Sequence, residues 1–225
     1  PKVKFRIMAK RFDLVVFDWD GTLLDSAAAI VSAIQAACVD LGLPVPSDAQ
    51  ARHVIGLGLS DALRSAVPDL EPAQYPLMVE RYRHHYLSSD HELTLFDGTQ
   101  ALIADLHARG HLLAVATGKS RKGLDRALGF TGLGKYFHAT RCADECFSKP
   151  HPAMLFELMD ELGVMAETSL MIGDTTHDLL MAKNAGVDGL AVSFGAHPVD
   201  QLVAESPVAC IDTPAALRAW LEVNG

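Results

Sequence analysis

Short apolar segments alternate with longer amphipathic segments along most of the chain. Residues 14–17 and 112–116 are continuously apolar, which is typical of strands buried on both faces of a parallel sheet. A weaker strand candidate lies at about 137–142. Further strand candidates lie at 169–172, 190–193 and 208–211.

Helical patterns with readable ends separate these strand candidates. Three of them stop at a glycine, which is the residue that most readily ends a helix, and they cover residues 99–109, 120–128 and 178–185. Another begins after Pro152 and ends at Gly163, and the last begins at Thr213-Pro214. The alternation predicts an α/β fold with a doubly wound, Rossmann-like parallel sheet.

One spacing interrupts this alternation. A strand–helix–strand unit takes roughly 30 residues, yet the first strand ends near residue 17 and the next core strand begins at residue 112. The extra residues between these two strands show helical patterns at 26–41, 59–66 and 73–87, which are separated by prolines. We therefore expect an all-α cap domain at 26–94 inserted into a core of 1–25 and 95–225, with hinges near 24–26 and 95–98.

Composition narrows the range of partners. The chain has 225 residues, 49% of them hydrophobic, and a formal net charge of −9. Five cations fall within the first eleven residues, which predicts a solvated basic arm and leaves the remainder more acidic still. An acidic body repels a phosphate backbone, so nucleic acid is not expected as a partner. No apolar run is long enough for a membrane span, and four cysteines fit reduced thiols in a cytoplasmic protein. The oligomeric state stays open.

Polar side chains follow the predicted strands where the strands end. Asp18-Trp19-Asp20-Gly21-Thr22 follows the first strand, Thr117-Gly118-Lys119 the second, and Gly173-Asp174 begins a segment that reaches Asp178. Lys149 precedes a helix. Ligands bind beyond the carboxyl ends of the strands in open α/β sheets. Converging carboxylates repel one another, and Mg²⁺ would relieve that repulsion.

Each of these residues has an ordinary structural interpretation when it is taken singly. An aspartate or threonine at a strand end is often a helix N-cap. Gly56-Leu57-Gly58 follows no strand and lacks the third glycine of a dinucleotide loop, so it is not interpreted as one. Cys142 and Cys146 lack the partners of a zinc site. The histidines have no ligand spacing and are expected to be surface or packing residues.

Taken together, the motifs resemble those of the haloacid dehalogenase-like hydrolases, in particular the phosphoglycolate phosphatase-like branch with a helical cap. DWDGT at 18–22 matches the family's DxDGT, Thr117 its second motif, and Lys149 in SKPHP its third. GDTTHD at 173–178 matches GDxxxD. The resemblance extends from residue 12 to about residue 223 and includes the position of the cap.

The resemblance implies a role for each catalytic position. Asp18 would be the nucleophile that forms an aspartyl-phosphate, and Asp20 the general acid and base. Thr117 and Lys149 would hold the phosphoryl oxygens, and Lys149 would keep Asp18 ionised. Mg²⁺ would be held by Asp18, Asp174 and the backbone carbonyl of Asp20. Asp178 would assist either through a water or by contacting the residues that bind the ion.

The expected substrate contacts are less specific. The loop that carries Asp20 would contribute Gly21, whose missing Cβ lets the backbone approach phosphate, together with Thr22. The family often has Thr-Asn in its second motif, where this chain has Thr117-Gly118-Lys119, and Gly118 and Lys119 are candidate substrate contacts. Lys119, like Arg121, either touches a second anionic group of the substrate or offsets the acidic rim, which is the preferred interpretation. Arg52 and Arg64 of the cap are weak candidates for binding a substrate carboxylate, and surface exposure is the expected outcome for each.

The substrate itself stays open. A small phosphorylated metabolite is expected, with 2-phosphoglycolate first among candidates. A phosphoglucomutase-like phosphotransferase, or a phosphatase of broad specificity for sugar phosphates and nucleotides, shares every core motif. A dehalogenase would need no general acid, so Asp20 argues against it. A non-catalytic Mg²⁺-binding regulatory protein would be expected to lack Asp18 or Asp20, and both are present.

Overall fold

The computed structural model describes residues 11–225, so the predicted basic arm lies outside the described residues except for Arg11. The strands are β1 (Leu14–Phe17), β2 (Leu112–Thr117), β3 (Ala139–Cys142), β4 (Ser169–Gly173), β5 (Asp188–Val192) and β6 (Ala209–Ile211). The helices are α1 (Ala27–Leu41), α2 (Asp48–His53), α3 (Leu59–Ala66), α4 (Tyr75–Ser89), α5 (Thr99–Ala108), α6 (Arg121–Thr131), α7 (Ala153–Leu162), α8 (Thr176–Ala185), α9 (Val199–Ala204) and α10 (Pro214–Asn224).

The six strands of the described chain form one parallel sheet in the order β3-β2-β1-β4-β5-β6. Strand β1 is central, with Phe17 in register with Val115 of β2 and with Ile172 of β4. The order reverses at β1, because the chain adds strands first on one side and then on the other. This is the doubly wound arrangement that the alternation of elements predicts, and it puts the ends of β1, β2 and β4 side by side.

Side chains of the central strands alternate between two apolar layers. Val15 and Phe17 face a cluster completed by α5, α6 and α10. Leu14 and Val16 face the opposite cluster, which α7 and α8 complete. Both faces of the sheet are therefore covered, which explains why the strand sequences are continuously apolar rather than alternating.

Helices α1 to α4 form an all-α cap between β1 and β2, with an apolar cluster of their own. Ile34 and Cys38 of α1, Leu63 of α3 and Met78 of α4 are buried in it. The two crossings between cap and sheet run side by side, since the Asp25 N–H donates to the Thr94 carbonyl at 3.0 Å. It remains a prediction that the cap domain spans residues 26–94 and that the hinges lie at the two crossings.

Two helices within the cap and core do not follow from the periodicity. Helix α2 has only six residues, and its start is fixed by a reciprocal capping box between Ser47 and Gln50. Helix α9 is equally short. The predicted end of the helix at 120–128 was wrong, because α6 continues through Gly129 and ends where Gly132 adopts a left-handed conformation with φ of 68°.

No helix among residues 11–225 combines the length and the apolar character that crossing a bilayer requires. The four cysteines are all free thiols, and Cys142 is buried in the sheet core while Cys38 is buried in the cap.

Because the central strand is buried, shortening one of its valines should lower the free energy of unfolding more than shortening an exposed valine elsewhere. We expect Val15→Ala, at a fully buried site, to lower the free energy of unfolding by about 2 kcal/mol, because two buried methyl groups are lost and a cavity remains. Val39→Ala, at a site 66% exposed on α1, is the matched control and should change it by less than about 0.5 kcal/mol. Urea titration measures both, and equal effects would contradict the assignment of the core.

Candidate active site

Three adjacent strands end at the same edge of the sheet and bring their polar residues together. Asp18 follows β1, Thr117 ends β2 and Asp174 follows β4, and all three are buried. Asp178 enters from the first turn of α8, and Lys149 from the segment between β3 and α7. The predicted convergence on this edge is therefore present in the fold.

Asp18, Asp174 and Asp178 form a compact acidic cluster. One carboxylate oxygen from each lies within 4.8 Å of the others. Asp174 is fixed at both oxygens, since Oδ1 accepts from Thr22 Oγ1 at 2.8 Å and Oδ2 from the Ala196 N–H at 2.7 Å. These bonds leave Asp174 no freedom to turn away from Asp18.

Asp178 is held by the start of its own helix. Its Oδ2 accepts from the Thr175 N–H at 3.1 Å and from Thr175 Oγ1 at 2.7 Å, as the N3 member of a capping box. Its Oδ1 accepts from Lys149 Nζ at 2.6 Å. The N-cap interpretation and the functional interpretation of this aspartate are thus compatible.

Lys149 is the cation of the cluster. Its buried ammonium lies 2.8 Å from Asp18 Oδ1 and contacts Asp178 on its other side. Burial alone would lower the pKa of Lys149, but the charges of Asp178 and Asp18 outweigh it and raise the pKa above its usual value. Lys149 is therefore charged and is shared between two carboxylates.

One lysine does not neutralise three aspartates. Burial raises the pKa of Asp18 well above its ordinary value against the opposing effect of Lys149, and Asp178 and Asp174 raise it further. Burial and the charge of Asp178 raise the pKa of Asp174 to about 7. The charge of Lys149, which is expected to help keep Asp18 ionised, does not by itself offset the effect of burial.

A divalent cation fits this set of donors. Asp18 Oδ2 is buried and has no hydrogen-bond partner among residues 11–225, and the neighbouring donors are carboxylate oxygens, the hard ligands that Mg²⁺ prefers. The positive charge would offset the carboxylate surplus that raises the pKa values of Asp18 and Asp174. The residues present are therefore suited to Mg²⁺.

Asp20 lies apart from the acidic cluster and has different partners. Its Oδ1 accepts from Ser26 Oγ at 2.7 Å. Lys119 Nζ donates to both of its oxygens, at 2.9 and 3.0 Å, and also to the hydroxyl of Tyr86 at 3.0 Å. No sequence pattern indicates Tyr86 or Ser26, because their relation to Asp20 depends on how the cap packs on the core.

Glycines allow the loops around the cluster to pack closely. Gly21 has a φ of 81°, and a Cβ there would overlap the carboxylate of Asp174. A Cβ on Gly118 would overlap the carbonyl oxygens of Leu57 and Gly56 in the cap loop. Gly118 thus lies directly beneath the cap, and the cap loop that does not match a dinucleotide motif covers the site.

Backbone groups of the cap also bind the core. The Gly58 N–H donates to Ser148 Oγ at 2.7 Å. The His53 carbonyl accepts from His177 Nε2 at 2.8 Å and from His197 Nε2 at 3.1 Å. The rings of these three histidines also contact one another, with centroids 5.1 to 5.5 Å apart, which agrees with a packing role for His53. Burial lowers the pKa of His177, and that of His197 to about 4, so both are neutral at pH 7.

Comparison with known proteins agrees with this geometry. The family model described as haloacid dehalogenase-like hydrolase matches residues 15–192, which is most of the chain and includes every motif position. The chain belongs to the haloacid dehalogenase-like hydrolases.

Relatives and a solved structure extend the comparison. A "Probable phosphatase IndB" of Dickeya dadantii is 40% identical over 89% of both chains. A 5'-nucleotidase of Pseudomonas aeruginosa is 33% identical over 96% of this chain and 99% of its own, and a phosphoglycolate phosphatase of Vibrio parahaemolyticus is 31% identical over 94% and 96%. The crystal structure of a predicted phosphoglycolate phosphatase from Haemophilus somnus shares the fold, with a TM-score of 0.85, 23% identity, and coverage of 97% of this chain and 100% of that one.

The remaining candidate residues of this hydrolase lie away from the acidic cluster or support it indirectly. Thr22 orients Asp174. Arg52 is partly buried on α2 and makes no ion pair within residues 11–225. Arg64 is exposed and packs over the ring of Tyr75 at 5.6 Å. Arg121 pairs with Glu145 at 2.7 Å, which agrees with a role in offsetting acidic charge.

Charge crowding at the cluster predicts an unusual stability effect. We expect Asp18→Asn to raise the melting temperature of the metal-free hydrolase by several degrees, because it removes one of three buried, mutually repelling carboxylates. The same substitution should shrink the increase that millimolar Mg²⁺ produces in the wild-type protein. Differential scanning fluorimetry with EDTA and with Mg²⁺ measures both effects.

Asp25→Asn is the control, since Asp25 is exposed and follows the β1 loop without joining the cluster. An Asp18→Asn protein that is less stable than wild type without metal, yet gains as much from Mg²⁺, would contradict this account of the cluster.

Proposed function

We propose that this hydrolase is a Mg²⁺-dependent phosphomonoesterase that acts on a small phosphorylated metabolite through an aspartyl-phosphate. The observation that carries the proposal is Asp18, a buried carboxylate that contacts Lys149 through Oδ1, has no hydrogen-bond partner at Oδ2 among residues 11–225, and lies beside two further carboxylates. A carboxylate that is not fully hydrogen-bonded can attack an electrophile that reaches the strand ends.

Mg²⁺ held by Asp18, Asp174 and the carbonyl of Asp20, with Asp178 behind them, would supply the positive charge that lets anionic groups approach one another. Asp18 attacks phosphorus through a carboxylate oxygen, and the bond from phosphorus to the leaving alkoxide breaks. Lys149 and Thr117 hold the phosphoryl oxygens as negative charge accumulates on them. Water is largely excluded by the cap loop above Asp18.

Asp20 transfers the protons of both half-reactions. In the first it gives a proton to the leaving alkoxide, and in the second it takes a proton from the water that attacks the phosphorus of the aspartyl-phosphate. Inorganic phosphate then leaves and Asp18 is regenerated. The hydrogen bonds from Ser26 and Lys119 keep Asp20 outside the acidic cluster, on the side of the cap where a leaving group would lie.

Two considerations favour 2-phosphoglycolate as the substrate, with glycolate and phosphate as products. Relatives of similar identity include a phosphoglycolate phosphatase, and the cap loop packs against Gly118 closely enough to favour a short leaving group. Because another relative is a 5'-nucleotidase, nucleotide phosphatase activity is the second candidate function. We assign the chemistry to residues 1–25 and 95–225 and substrate choice to a cap at 26–94.

The proposed roles of Asp18 and Asp20 predict that their substitutions respond differently to a change of leaving group. We expect Asp18→Asn to abolish turnover of all substrates, because an amide is a poor nucleophile. Asp20→Asn should lose roughly 10²–10⁴-fold in kcat/KM on an alkyl phosphate, the usual contribution of a general acid. It should lose much less in kcat/KM on p-nitrophenyl phosphate, because that leaving group needs no proton and kcat/KM reports only the steps up to its departure. Steady-state kinetics test this, and equal losses on both substrates would reject the role of Asp20.

A substrate panel tests the identity of the reaction. We expect phosphate release from 2-phosphoglycolate to exceed that from nucleoside 5'-monophosphates and sugar phosphates in kcat/KM, and to stop in EDTA and return with Mg²⁺. A preference for nucleotides would favour the second candidate. Interconversion of glucose 1- and 6-phosphates with a bisphosphate activator would instead indicate the phosphoglucomutase-like alternative.

A further inference from the structure

Lys119 is fully used by protein groups in this structure. An ammonium has three N–H donors, and those of Lys119 have three acceptors: the two oxygens of Asp20 and the hydroxyl of Tyr86. Binding a substrate anion would require the loss of one of these bonds. The side chain is 12% exposed and that of Asp20 is 10% exposed, so the pairing is screened little by water.

Tyr86 is the residue that the cap adds to the hydrogen-bonded pair of Lys119 and Asp20. It lies near the end of α4, whereas Lys119 follows β2 and Asp20 follows β1. Its ring lies 4.8 Å from the Lys119 ammonium and stacks on the ring of Tyr82 at 5.9 Å. The hydroxyl is thus held from two directions, by the aromatic stack of α4 and by the ammonium that it accepts from.

We propose that Tyr86 is a positioning residue that fixes Lys119 over Asp20 and thereby orients the acid–base carboxylate for proton transfer. This inference rests on the proposed function, since it needs Asp20 to exchange protons with the leaving group and water. Ser26 holds only Oδ1 of Asp20, at 2.7 Å, and lies at the first crossing to the cap. Lys119 contacts both oxygens, and Tyr86 provides the third bond that prevents the ammonium from swinging away.

The position of Tyr86 has a consequence for the cap. Because Lys119 and Asp20 belong to core loops and Tyr86 belongs to α4, the third bond exists only when α4 lies against the core. A cap that lifts would leave Lys119 with two acceptors on a single carboxylate and free to rotate about its own side chain. Orientation of Asp20 is then best when the cap is down over the substrate.

Tyr86→Phe tests the proposal because it removes one oxygen atom and keeps the ring. We expect kcat on 2-phosphoglycolate to fall about tenfold, equivalent to about 1.4 kcal/mol, with KM changed less than twofold. On p-nitrophenyl phosphate kcat/KM, which reports the steps up to departure of the leaving group, should change less than twofold, because that leaving group needs no proton. Equal losses on the two substrates, or a change confined to KM, would overturn the proposal.

Lys119 variants test whether Tyr86 acts through the ammonium. Lys119→Met should show the same dependence on the leaving group with a larger loss, and Lys119→Arg should recover part of it. Adding Tyr86→Phe to Lys119→Met should cost nothing further, because the hydroxyl then has no ammonium to hold. A full additional tenfold loss in the double variant would show that Tyr86 acts by another route and would overturn the proposal.

Tyr82→Phe is the matched control. Tyr82 lies one turn earlier on the same helix, and its hydroxyl makes no hydrogen bond within the described part of the chain. Its loss should leave kcat within twofold on both substrates, and a loss equal to that of Tyr86→Phe would mean that any hydroxyl on this face matters. Melting temperatures confirm that each variant is folded.

Failure of the proposed function would look different from failure of this inference. If Asp20→Asn loses activity equally on both substrates, or if wild type releases no phosphate from any alkyl ester, the acid–base role itself is wrong. If the loss of activity in Asp20→Asn depends on the leaving group and that in Tyr86→Phe does not, only the positioning role of Tyr86 is wrong.

Discussion

The arrangement of this hydrolase follows from the burial of three carboxylates around one ammonium. Asp18, Asp174 and Asp178 are withdrawn from water at the centre of the sheet edge, and Lys149 is the single cation that contacts the cluster within the described residues. Such a group is costly unless its charges are compensated. The surrounding elements therefore hold every carboxylate in a fixed orientation, and the surplus negative charge is what suits the site to a divalent cation.

Each part of the fold that holds the cluster does so through ordinary local chemistry. The reversal of strand order at β1 makes β2 and β4 its neighbours, so three strand ends meet without a long loop. The capping box at the start of α8 fixes Asp178. Gly21 adopts the left-handed conformation at a place where a side chain would collide with Asp174. Removal of any of these features would leave a buried carboxylate poorly held.

Much of this could be predicted from the sequence, and the limit is physical. Continuous apolar strands and glycine-terminated helices indicate a doubly wound sheet, and strand ends indicate Asp18, Thr117 and Asp174. Contacts between cap and core have no such signal, because they depend on the relative placement of two apolar clusters. Tyr86, Ser26 and the meeting of His53 with His177 and His197 belong to that class. Gly129 shows a different limit, since a glycine permits a helix end but does not impose one when the surrounding residues favour continuation.

The cap loop at 52–59 is held on the core largely by backbone groups. These are the His53 carbonyl, the Gly58 N–H and the carbonyls that face Gly118, and the ring of His53 adds contacts with His177 and His197. Backbone contacts do not depend on which side chains the loop carries. The side chain of Arg52 makes no ion pair within residues 11–225, so it can differ while the loop keeps these bonds, provided that Gly56 keeps its φ of 92° and Gly58 its close approach to Ser148. In the proposed function, such a loop would let its side chains set the choice of leaving group without disturbing the buried carboxylates that carry the chemistry.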